Sequence, residues 1–193
     1  MKIQYNAPVI LTFGFLSLGA LILGFLTNGE TTMRFFSLWP VQDTPLSYIR
    51  FFTYIFGHAD FTHFVGNFSI ILLVGPLIEE KYGSGRLFFM ILATALISGA
   101  LHAVFFNSGL LGASGIAFML ILLTPFTNTK SGKLPLTFLL IAAIYIGQEV
   151  FLAVTVVDNV SRFAHIIGGV LGAAMGYFGS WKKHRRRDLT GLN

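Results

Sequence analysis

The chain has 193 residues, of which 54% are hydrophobic and only 11% charged, and its mean hydropathy is +0.75. A soluble domain carries roughly 25% charged residues, so the composition excludes a soluble globular protein, a disordered chain and a coiled coil, and points to an all-α integral membrane protein. There is no cysteine, which removes disulfide scaffolds, thiolate metal sites and cysteine nucleophiles.

A hydrocarbon core of about 30 Å takes about 20 apolar residues in a helix. Six stretches approach that length: Pro8–Leu26, Phe61–Ile78, Leu87–Phe106, Leu110–Phe126, Leu134–Val157 and Phe163–Trp181. The spacing predicts a six-transmembrane-helix bundle over residues 1–181, followed by a basic cytoplasmic tail at 182–193. The first stretch reads as a retained helix, because it lacks a small-x-small cleavage site. The long connection Thr27–Asp60 suits an amphipathic element at the interface.

The net charge of +5 is concentrated in the tail, where Lys182, Lys183, Arg185, Arg186 and Arg187 follow the last apolar stretch. Such a run anchors a membrane protein beside the bilayer and indicates no nucleic-acid partner. With both termini cytoplasmic, Lys2, Lys81, Arg86, Lys130, Lys133 and the five tail residues lie inside, against Arg34, Arg50 and Arg162 outside. That distribution obeys the positive-inside rule.

The inner charges act as rulers. Ser114 stands 16 residues before Lys130, His165 17 before Lys182, His63 16 before Glu79 and Asn67 12 before it. At about 1.5 Å per residue these groups lie roughly 18–26 Å above the inner edge, in the outer half of the core. His102 and Glu149 fall at the same height, so height defines a layer of polar residues and not yet a site. Polar groups at that depth are costly and face the bundle interior or a water cavity.

Local sequence narrows the choice. Gly112-Ala113-Ser114-Gly115 places a serine at the start of a short fourth helix. The N-terminus of such a helix offers open N–H groups to a developing oxyanion, although Gly/Ala/Ser clusters are also ordinary packing surfaces. In Ala164-His165-Ile166-Ile167-Gly168, the glycines 168, 172 and 176 line one flank, which permits close approach to another backbone. A histidine beside a serine is the minimum apparatus for an activated nucleophile. His63 and Asn67 share a helix face at i,i+4, and both can donate hydrogen bonds. Asn is a poor zinc ligand and no H-E-x-x-H is present, so neither a metal nor a cofactor is expected.

From about Arg50 to Gly176 these pieces, in this order, resemble the rhomboid family of intramembrane serine proteases. The family's H-x-x-x-x-H-x-x-x-N, G-x-S-G and A-H-x-x-G signatures appear as His58/His63/Asn67, Gly112–Gly115 and Ala164–Gly168. The Glu79–Gly85 segment looks like the family's turn between helices two and three. Its Trp-Arg dipeptide in the outer loop appears here as Ile49-Arg50. The resemblance implies that Ser114 is the nucleophile and His165 the general base. It implies that His63, Asn67 and the Ser114 backbone N–H form the oxyanion hole. Asp158 is assigned no triad role. The implied substrates are single-pass membrane proteins cut in or near their transmembrane segment, in a cavity open to the outer side of a prokaryotic plasma membrane. The rival reading, a non-catalytic rhomboid-like binder of membrane proteins, would be expected to lack the Ser or the His.

Overall fold

The computed structural model describes residues 4–40, 44–128, 133–155 and 159–190. Lys2, Lys130 and Asp158 lie outside the described residues, as do the side chains of Glu149 and of the basic run.

The described residues form eight α-helices in order: α1 (Pro8–Leu26), α2 (Glu30–Phe35), α3 (Pro45–Thr53), α4 (Phe61–Tyr82), α5 (Ser84–Phe105), α6 (Ser114–Leu123), α7 (Leu136–Thr155) and α8 (Asn159–Thr190). Short 3-10 turns follow α3 and α6. Among the described residues there is no strand, only an isolated antiparallel bridge between Leu38 and Leu110. Among the described residues three helices, α1, α4 and α5, are long and apolar enough to cross a membrane.

The first predicted stretch coincides with α1 at both ends, and the other five hold helices with shifted ends. The turn expected at Glu79–Gly85 is mostly helix: α4 continues to Tyr82 and only Gly83, at φ 82°, breaks it. α8 carries on through the basic run to Thr190. The connection Thr27–Asp60 holds α2, α3 and a 3-10 turn, and Arg50 Nε donates to the Arg34 carbonyl at 2.9 Å to tie α3 to α2.

Local chemistry fixes the starts. Pro8 occupies the first turn of α1, where its missing N–H costs nothing. The next two N–H groups, of Val9 and Ile10, donate at 3.0 Å each to the two carboxylate oxygens of buried Glu79, which also accepts from Ser84 Oγ at 2.7 Å. One carboxylate thus caps α1 and joins it to α4 and α5. Asp60 caps α4 by accepting the His63 N–H at 2.7 Å.

α6 is the core of the bundle. Ile116, Ala117 and the run Met119–Leu123 are all buried, and α6 packs most extensively on α8, then on α4. α7 is more sparsely packed, against α8, α6 and the 3-10 turn that follows α6.

Candidate active site

Four segments meet around the N-terminus of α6. The helix begins at Ser114 with no capping side chain on Ala113, so its first N–H groups are open at the positive end of the helix dipole. The segment 106–113 that leads into it is held from three sides. Leu110 exchanges backbone hydrogen bonds of 2.8 Å with Leu38, the Gly112 N–H donates to the Tyr54 carbonyl at 3.0 Å, and His102 reaches the Ser108 carbonyl.

Gly112 has φ 118°, a conformation that strains any residue with a side chain. Space demands glycine there too, since a Cβ would stand 2.9 Å from His63 Nε2 and 3.8 Å from Asn67 Nδ2. Both side chains therefore face the backbone just before Ser114. Asn67 is buried and its Nδ2 has no partner among the described residues. A buried orphan donor is costly, and one beside a helix N-terminus is placed to hold an anionic oxygen. His58, buried behind this pair, meets the His63 ring edge-on at 5.1 Å and Phe64 at 5.4 Å. Burial and the neighbouring His63 lower its pKa to about 4, which keeps it neutral.

On the opposite side, α8 lies directly on α6. A Cβ on Gly168 would collide with the backbone of Gly115, and one on Gly172 with that of Met119. Glycine at every fourth position is what permits this approach. It brings His165, one turn before Gly168, over the same face of α6 as Ser114. The His165 ring stacks on Phe118 with centroids 4.3 Å apart and planes 7° from parallel, and Phe118 is one turn after Ser114. His165 and His63 are close enough to interact electrostatically. Ser114, His165 and His63 are each half-buried.

The structure thus brings His63, Asn67, Gly112, Ser114 and His165 together. His102 is turned away: its Nε2 lies 2.7 Å from the Ser108 carbonyl and its ring stacks on Phe106. Because a carbonyl only accepts, Nε2 carries the proton. Sequence reasoning missed Phe118; the available signal was its i+4 relation to Ser114. It also missed Glu79, whose pairing with α1 spans about 70 residues of sequence.

An apolar helical bundle in which a serine, two histidines and an asparagine gather around one helix start forms a candidate membrane-embedded site. A model of the Rhomboid domain matches residues 45–182, well over half of the chain. Proteins named Rhomboid protease GlpG from Salmonella choleraesuis (strain SC-B67) and Salmonella newport (strain SL254) are each 26% identical over 169 residues, covering 82% of this chain. The chain spans 58% of the length of those relatives. The chain belongs to the rhomboid family, and is an integral membrane protein.

Proposed function

We propose that this chain is an intramembrane serine endopeptidase that hydrolyses a peptide bond in or near the transmembrane segment of single-pass membrane proteins. The observation that carries the reading is the convergence of His63, Asn67 and His165 on the uncapped start of α6 at Ser114.

In this mechanism Ser114 Oγ attacks the substrate carbonyl carbon while His165 takes the hydroxyl proton. The carbonyl oxygen becomes an oxyanion, accepting hydrogen bonds from the Ser114 N–H, Asn67 Nδ2 and His63. His165 returns its proton to the leaving nitrogen, and the C–N bond breaks to leave an acyl-enzyme. Water then attacks the acyl carbon with His165 again as base, and Ser114 departs as the hydroxyl. The reading includes six spans with both termini cytoplasmic, supported by the positive-inside distribution. It also includes a cavity open to the outer side of a prokaryotic plasma membrane.

The test is covalent labelling by a fluorophosphonate serine-hydrolase probe, alongside cleavage of a single-pass substrate in liposomes. Wild type labels and cleaves. Ser114→Ala and His165→Ala do neither while remaining folded, and the double variant is no worse than either single one. More than a few per cent of activity in Ser114→Ala refutes the serine mechanism.

A further inference from the structure

A cavity of about 550 Å³ lies between α1, α5 and the end of α3 with the 3-10 turn that follows it. Its walls are apolar. On α5 they are Phe88, Ile91, Leu92 and Ala95, a single stripe that begins at Ser84 and repeats at helical spacing. Facing them on α1 are residues from Pro8 to Leu16, and the far end is closed by Phe52, Ile55 and Phe56. From Ser84 to Ala95 the groove runs about 16 Å. That is half of a core about 30 Å thick, the depth of one leaflet.

At its Ser84 end the groove meets a second cavity of about 460 Å³ with a different chemistry. Gln4, Asn6, Glu79 and Glu80 line it. Glu79 is committed to the α1 N–H groups and Ser84, whereas Glu80 is exposed. Lys81, the next residue in the chain, is exposed as well.

We infer that these two cavities form one binding site for a phosphatidylethanolamine lipid in the leaflet on the N-terminal side of α1. One acyl chain fills the groove, because α1 and α5 are spans and what meets an apolar groove in hydrocarbon is hydrocarbon. The headgroup enters the polar cavity. Its ammonium has three N–H donors for the Glu80 carboxylate and the amide oxygens of Gln4 and Asn6. Charge selects among lipids. A phosphatidylcholine headgroup has no N–H to donate, and a phosphatidylglycerol headgroup brings only negative charge to two carboxylates.

The experiment is native mass spectrometry of the full chain in mild detergent. Palmitoyl-oleoyl phosphatidylethanolamine, phosphatidylcholine and phosphatidylglycerol are added separately at equal concentration. The expected result is a single retained lipid, with phosphatidylethanolamine held at least five-fold more than the other two. Glu80→Gln, a surface change that leaves the fold intact, reduces phosphatidylethanolamine to the level of phosphatidylcholine. Leu92→Trp, which fills the groove, lowers retention of all three. Equal retention of the three lipids by wild type overturns the proposal, as does an unchanged preference in Glu80→Gln. So does a photo-crosslinker at Phe88 that joins two copies of the chain and no lipid, since a second copy then occupies the groove.

Discussion

Gly168→Ala tests whether the contact between α6 and α8 is what sets the candidate dyad. The added Cβ would stand 2.8 Å from the Gly115 carbonyl carbon and closer still to its oxygen. Ordinary contact begins at 3.4 Å, so the helices must separate by about 0.6 Å to clear the carbon and further to clear the oxygen. Both colliding groups are helix backbone, so no side-chain rotation relieves the clash. The displacement falls one turn from His165 and one residue from Ser114. A misplacement of about 1 Å between reacting groups costs roughly 100-fold in rate, and overpacking costs about 1–3 kcal/mol of stability. The expected outcome is a turnover about 100-fold lower, with most of the protein folded in detergent and substrate KM little changed. Gly66→Ala and Gly147→Ala are the controls, because a Cβ at either position meets nothing within 4 Å, and they keep wild-type turnover. Measuring kcat per folded molecule separates the two effects. Gly168→Ala with kcat within three-fold of wild type refutes the idea that this approach positions the histidine.

Asn67→Ala should lower kcat by roughly 10–1,000-fold, the usual cost of one oxyanion donor, with KM moving less; a loss confined to KM speaks against the role. Glu79→Ala strands two N–H groups and a hydroxyl, and at about 1–3 kcal/mol for each orphaned group it should destabilise by several kcal/mol in a detergent unfolding assay, while exposed Glu80→Gln changes little. His58, with a pKa near 4 when folded against about 6.5 unfolded, takes up its proton more readily in the unfolded chain. Its contribution is therefore whole above pH 6.5 and falls by about 3 kcal/mol as pH drops toward 4, a slope that His58→Phe should flatten. His102→Gln, which keeps a donor for the Ser108 carbonyl, should retain measurable proteolysis; complete loss in folded protein would place His102 inside the site.

The helices were legible because a membrane span needs about 20 apolar residues and nothing else in the composition imitates that signal. Their ends were less so. α4 outruns its apolar stretch, and buried Glu79 in that extra turn accepts hydrogen bonds from backbone donors on α1, a contact between elements that no local pattern encodes. Of the candidate site, the residue types were legible and their grouping was not. Depth placed Ser114, His165, His63, Asn67, His102 and Glu149 in one layer, and the motifs chose among them. The structure adds the physical reason for two of those choices. Gly112 faces His63 and Asn67 because its φ and its lack of Cβ leave room for them. His102 is withdrawn from the group by a single carbonyl, that of Ser108.

The absence of aspartate from all six apolar stretches raises the question of what would orient the histidine. In a Ser-His-Asp arrangement a carboxylate fixes the imidazole's tautomer and direction, at the cost of burying a charge. Within a bilayer that cost is several kcal/mol unless the charge is fully paired. Here Phe118 lies parallel against the His165 ring and the glycine flank of α8 locks its helix onto α6. Flat apolar packing restricts the ring's direction without any charge to desolvate. A membrane site gains more from this solution than a soluble one, because the helices that hold the two rings are already forced together by backbone contact. The same economy applies to the proposed oxyanion donors. The Asp60 carboxylate fixes the first turn of α4, and His63 and Asn67 follow it on that helix.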